Sequence, residues 1–231
     1  MSWNKLTIEK TPLAQQVLQS IRRGILSGRF LSGERLGEEE ISSELGVSRH
    51  AVRVALSTLE AEGLVEGDAY KGKRVAELRS DQLSYLLEVR GLLEAAAVAL
   101  AIERLTPDDI RRLQRYAQRL RDETDWDERI RLDLEFHEFI WSLSGDQRLQ
   151  KLLRQVVFPF FAIQYRAGGR LGDWRQQEKK KEPQGHQLLI EAICAKDTAR
   201  ARRLMKQHSE WANFDEKELS RILQTVEQPA R

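Results

Sequence analysis

Residues Glu44–Val65 read "ELGVSRHAVRVALSTLEAEGLV". The first residues are short and polar and are broken by Gly46, and the remainder is apolar at helical spacing. Val52, Leu56 and Leu59, with the closing Leu64, supply one buried face. Ser48 is positioned to cap the helix start and Gly63 to stop it. Ser48, Arg49, His50 and Arg53 crowd the first two turns, ahead of the leucines. Arg49 and Arg53 are four apart and so share a face.

Upstream, "EEEISSEL" (residues 38–45) is a short helix that ends at Gly46. Before it, "PLAQQVLQSIRRGILSG" sets Leu13, Val17, Ile21 and Ile25 four apart, and Gly28 ends that run. Downstream, "LVEGDAYKGKRVAEL" (residues 64–78) has two Val-bearing segments around a Gly-containing tip, which predicts a β-hairpin. Two helices joined by a tight Gly-containing turn are a helix-turn-helix signature. The second helix of such a pair enters the major groove with its N-terminal residues on base edges. That explains why the polar residues come first and the docking leucines later. An arginine binding guanine bidentately contributes about 1–3 kcal/mol of discrimination. Lys71, Lys73 and Arg74 surround Gly72 at the hairpin tip, within reach of the DNA backbone or minor groove. Basic segments of this kind also occur as plain solvated surface. The helix–turn–helix–hairpin order is what favours DNA.

From about Leu78 the pattern is helical. A long Leu/Ala-rich helix starts at Ser80. A second opens with Thr106 as cap, Pro107 at the first helical position and two acids on the positive end of the dipole. A third ends at Gly145, a fourth carries Pro159 and should kink there, and residues 167–177 read as a loop. Two last helices are expected over about 179–196 and 197–224. The expectation is a mainly α protein: a winged helix-turn-helix domain over residues 8–76 and an all-α bundle over 77–225.

The chain has 231 residues, 41% hydrophobic and 32% charged, with a net charge of +2, so total charge does not by itself announce a nucleic-acid partner. Its one cysteine, Cys194, excludes a disulfide framework and sits in the apolar run "LLIEAICA", where buried packing is expected. The start "MSWNKLTIEK" lacks the apolar core of a signal peptide, and no stretch approaches the roughly 18 apolar residues of a membrane span. A cytoplasmic protein without membrane attachment is expected.

Of four histidines, His50 lies in the DNA-reading helix and the other three in the bundle. Asp133 and His137, in "DLEFHEF", project from one helical face. His186 and His208 lie on two later helices. One carboxylate and three imidazoles suit a divalent transition metal such as Zn, Ni or Mn. Scattered helical histidines are also common as surface or core groups, and spacing ties only Asp133 to His137.

The segment "ISSELGVSRHAVRVALSTLEAEGLV" resembles the winged-helix domain of GntR-superfamily transcription regulators, at Leu45–Arg49, Val52–Arg53, Ala55–Leu56, Leu59–Glu60 and Gly63–Val65. "LSGERL", with Arg35, fits upstream. The helical half is similar to the FCD domain of the FadR subfamily, with Arg90, Leu93–Glu94, Asp133 and His137 around Phe136, Ser144–Gly145, His186 and Met205–His208. The resemblance implies that Arg35, Ser48, Arg49, Arg53 and the Gly72 wing tip contact DNA, with His50, Lys71 and Lys73 beside them. It implies that Asp133, His137, His186 and His208 hold a metal with positions open to a small carboxylate effector. Arg90 is the first candidate to pair with that carboxylate. Arg166 is a second, for which an ion pair is the plainer reading. Two departures stand out: Glu38, Glu39 and Glu40 where relatives often have a basic residue, and Asp146 where Asn is common.

The resemblance implies an effector-controlled regulator, with repression the commoner outcome in the family. It should act as a homodimer on a double-stranded, pseudo-palindromic operator whose half-sites lie about 34 Å apart. The alternative is a metal-dependent enzyme with an appended DNA-binding domain, although no separate general base is evident. A third reading makes the metal structural only.

Overall fold

The computed structural model describes residues 13–68, 72–77, 80–170 and 185–210. Its elements in chain order are α1 (Leu13–Leu26), β1 (Arg35–Leu36), α2 (Glu38–Leu45), α3 (Arg49–Ala61), β2 (Val65–Asp68), β3 (Gly72–Val75), α4 (Ser80–Arg104), α5 (Pro107–Asp122), α6 (Trp126–Leu143), α7 (Gln147–Arg170), α8 (Gly185–Cys194) and α9 (Thr198–Glu210).

In the N-terminal part, α1 buries Val17, Ile21 and Ile25 on one face, while Leu13, at the same spacing, lies at the exposed start. Gly46, with φ 64°, closes α2, and its N–H donates to the Ser42 carbonyl. The Ser48 side chain caps α3 by accepting from the Ala51 N–H at 3.2 Å. Val52, Leu56 and Leu59 are buried beneath it. The hairpin pairs Val65 with Val75 and Asp68 with Gly72. A third strand, β1, pairs on the other edge of β3, with Arg35 opposite Arg74 and Leu36 opposite Lys73. The sequence reading contained only the hairpin, because two residues are too few to display a period of two.

In the C-terminal part, α4 packs against α9, α6 and α7. Thr106 and Asp109 form a reciprocal capping box at the start of α5, and Asp125 caps α6. Asp146 caps α7: its Oδ1 accepts from the N–H groups of Arg148 (2.8 Å) and Leu149 (3.1 Å), which holds its carboxyl below the ordinary aspartate range. Asp146 is exposed in that role. Pro159 lies inside α7, which continues to Arg170, so residues 167–170 are helical where a loop was expected. The next helix begins at Gly185, later than expected; residues 179–184 and 211–224 lie outside the described residues. Cys194 is half-buried, and burial pushes its thiol pKa up.

One hydrophobic cluster runs from Ile21, Ile25, Leu56 and Leu59 into Trp126, Ile130, Phe158 and Phe161 of the bundle. The other, around Phe136, Ile140, Leu189, Ile193 and Met205, lies within the bundle. Polar contacts join the two parts as well. Arg22 donates to Glu62 at 2.6–3.2 Å in a buried pair, with its guanidinium 5.1 Å from the centre of the Phe158 ring. The Gln155 Nε2 donates to the Ala61 carbonyl at 2.9 Å.

Candidate metal centre and nucleic-acid interface

On the N-terminal part, Arg49, His50 and Arg53 are exposed on the first turns of α3. β1 carries Arg35 to the same side, and a groove of about 640 Å³ is lined by Arg35, Glu38, Arg49, Glu60, Gly72 and Lys73. Ser48 reaches this region with its hydroxyl engaged in capping. Lys71 lies outside the described residues.

Acids from other elements meet these cations. The Arg53 Nε donates to Glu38 at 3.0 and 3.1 Å, and its Nη2 donates at 2.8 Å. These bonds hold the Glu38 carboxyl below its ordinary range. Arg49 lies 4.0 Å from Glu39, Lys73 pairs with Glu60, and Arg74 pairs with Glu66 at 3.0 Å. The basic stretches contain no acid in sequence, but the fold supplies one to each. Gly67 makes room for the Lys73–Glu60 pair, since a Cβ there would meet Glu60 Oε1 at 2.4 Å.

In the bundle, α6 presents Asp133 and His137, α8 presents His186 and α9 presents His208. One ligand atom from each lies within 4.8 Å of all the others. The His186 Nε2 is 2.7 Å from Asp133 Oδ1, His137 Nε2 is 3.4 Å from that same oxygen, and the His137 and His208 Nε2 atoms are 3.1 Å apart. Nitrogen ligands at about 2.0–2.1 Å from a common ion sit about 2.9–3.4 Å from each other in octahedral or tetrahedral arrangements. The donor set and its spacing therefore fit a divalent transition metal.

Behind the histidines is a residue that the sequence pattern contained without a role. Glu94, on α4, is fully buried. Its Oε1 faces His137 Nδ1 at 2.6 Å, while its Oε2 accepts from Arg90 Nε at 2.9 Å and from Ser209 Oγ at 2.5 Å. A carboxylate on Nδ1 orients the imidazole so that Nε2 faces the centre. The four-residue spacing of Arg90 and Glu94 was the available signal for this pair; nothing in the sequence marked Ser209. Burial would raise the Glu94 pKa, but Arg90, His137 and Ser209 outweigh it and hold the group ionised. Burial would also raise Asp133, yet His186 and His137 hold it well below the carboxylate range. His137 is raised, because Glu94 and Asp133 outweigh its burial.

Arg90 is buried beside this cluster. Its Nη2 is 3.4 Å from His137 Nε2, and its guanidinium lies over the Phe160 ring at 4.6 Å. Arg166 lies on α7, and its side chain is outside the described residues.

A winged helix-turn-helix joined to a helical bundle with a His/Asp cluster defines a class of bacterial DNA-binding regulators. Residues 13–75 match the model described as bacterial regulatory proteins, gntR family, and residues 85–210 match the FCD domain. The chain belongs to the GntR family, in the branch that carries an FCD effector-binding domain, and is a DNA-binding transcription regulator.

It is 27% identical over 220 residues to the HTH-type transcriptional regulator YdhC of Bacillus subtilis (strain 168), covering 93% of this chain and 94% of that one. It is 28% identical over 222 residues to the Glc operon transcriptional activator of Escherichia coli (strain K12), covering 87% of each. Among solved structures, E. coli McbR/YncC matches with a TM-score of 0.74 and 23% identity over 93% of this chain and 99% of that one, which shows a shared fold. These relatives are regulators, and the alternative of an enzyme with an appended DNA-binding domain is set aside. Among the described residues no helix is long and apolar enough to cross a membrane.

Proposed function

We propose that this regulator grips a pseudo-palindromic operator as a homodimer and that a small organic carboxylate, bound in the bundle, alters that grip. Arg35, Ser48, Arg49, His50, Arg53, Lys71, Gly72 and Lys73 form the DNA-facing set. Asp133, His137, His186 and His208 would hold a Zn, Ni or Mn ion. That ion, when bound, supplies a Lewis-acidic position for a carboxylate oxygen. Arg90 offers the remaining nitrogens of its guanidinium to the same carboxylate, and Phe160 beneath it fixes the plane of the fork. Arg166 is a further candidate contact.

The single observation carrying this reading is the convergence of four ligand side chains from three helices beside a buried arginine. Homodimerisation is supported by Tyr85, Val89 and Leu92, which form an exposed stripe at helical spacing along α4. The protein would work in the cytoplasm, where the operator is, and a dimer bound across a promoter would repress.

His137→Ala tests the core of the reading. Elemental analysis should find about one divalent ion per wild-type chain and none in the variant. Operator affinity should respond to small carboxylates only in the metal-loaded wild type. Retention of the full metal content by the variant removes His137 from the ligand set. A carboxylate response that survives chelation makes the metal structural only.

A further inference from the structure

The recognition helix carries two arginines, and the fold treats them differently. Arg49 is only loosely near an acid, at 4.0 Å from Glu39. Arg53 is held. Its Nε and Nη2 both donate to the Glu38 carboxylate, at 2.8–3.1 Å, so one whole edge of the guanidinium is occupied. The planar fork has five N–H donors in fixed geometry. With the Nε side taken, the end edge, Nη1 with the second Nη2 hydrogen, is left without a protein partner among the described residues. Two parallel N–H donors on one edge are what guanine O6 and N7 accept.

Glu38 is placed for this by the helix it begins. It is the first residue of α2, following Gly37, and α2 packs against α3. Its carboxylate also sits at the positive end of the α2 dipole, which favours the ionised form that an arginine pairs with.

We infer that Glu38 is a specificity-determining residue: by gripping one edge of Arg53 it presents the other edge to a guanine, and so sharpens base preference at one position of each half-site. The inference rests on the reading that α3 faces DNA bases. A negative charge at this surface weakens attraction to phosphates in general. Its compensation is a preorganised reader that loses less side-chain freedom on docking. The acid that looks like a defect in a basic interface thus trades general affinity for discrimination. Arg53 is exposed and Glu38 only half-buried, so the pair is open to solvent screening and contributes little to folding, and its variants are expected to remain folded.

The test is selection of bound duplexes from a randomised pool by wild type, Arg53→Ala, Glu38→Ala, Glu38→Gln and Glu39→Ala, followed by affinity measurements on the selected site and on a random duplex. Wild type should select a guanine at a position where Arg53→Ala shows no preference. Glu38→Ala should lower preference at that position by about tenfold, leave the other positions intact, and bind random duplex at least as well as wild type. Glu38→Gln, which keeps one acceptor, should fall between. Glu39→Ala should keep the preference and raise affinity for every sequence alike.

Two outcomes overturn the inference in different ways. If Arg53→Ala leaves the preference untouched, Arg53 reads no base and the inference falls, whereas the reading that α3 faces DNA bases falls only if Arg49→Ala and Arg53→Ala together also leave the selected site unchanged. If Arg53→Ala removes the preference but Glu38→Ala tightens all duplexes equally with the guanine retained, Glu38 merely repels phosphate and the reader needs no support.

Discussion

His137 sits between two carboxylates, Glu94 on Nδ1 and Asp133 near Nε2, and this fixes how the protein responds to pH. In the metal-free protein the histidine pKa is raised above 6.5. The stability it contributes is therefore complete below pH 6.5 and is lost as pH rises through the folded value. Glu94 and Asp133 are lowered, so their contribution is present above their ordinary values of 4.5 and 3.8 and is lost as pH falls through the depressed ones. Metal binding reverses the upper limb, because a ligand imidazole must shed its proton. The denaturation midpoint of metal-free protein should fall as pH rises above 6.5, while the gain from added zinc grows over the same range. A metal-free midpoint that climbs steadily with pH would show that His137 is not held protonated by its neighbours.

At the scale of elements, the end of α3 meets α7 beside a proline. Pro159 cannot donate to the Gln155 carbonyl four residues earlier. Gly63, just past the end of α3, lies against that carbonyl: with φ 75°, a Cβ there would approach the oxygen to 3.1 Å. Gly46, after α2, has a similar φ of 64° but nothing within 4 Å of its would-be Cβ. The two glycines separate strain from contact. Gly46→Ala should cost about 1–2 kcal/mol of unfolding free energy, the left-handed strain alone. Gly63→Ala carries that strain and must also displace backbone, so it should cost clearly more in urea titrations. Equal costs would mean that α7 does not hold Gly63 closely in solution.

For the whole molecule, the continuity of the first core cluster from α1 and α3 into α6 and α7 means that the DNA-reading part does not hang from a free linker. Phe161, in that cluster, also packs edge-on to His137 at 5.8 Å, so the candidate metal centre and the base of the recognition domain share a wall. Assembly is a separate matter, and the α4 stripe bears on it. If the proposed homodimer forms through this stripe, Val89→Arg with Leu92→Glu should give a monomer in analytical ultracentrifugation where the wild type is a dimer, and should weaken operator binding at least tenfold, because one half-site would then bind alone. A double variant that stays dimeric places the interface elsewhere.

The sequence by itself determined most of the helices and the order of the two parts, though not the extension of α7 through residues 167–170 or the start of α8 at Gly185, because capping residues and apolar spacing act over three or four positions. Ser48, Thr106 and Asp146 behave as caps for that reason. Local spacing also tied Asp133 to His137, and family resemblance named His186 and His208. Tertiary structure decided what depends on contacts between residues distant in the chain. β1 is too short to recognise without its partner β3. Glu94 acquires its role 43 positions before the histidine it faces, and Ser209 acquires its own 115 positions after Glu94. The acids that meet Arg53 and Lys73 come from elements folded against them. Electrostatics and hydrogen bonding fall off with distance in space, and beyond a few turns of helix the separation along the chain does not fix that distance until the core has packed.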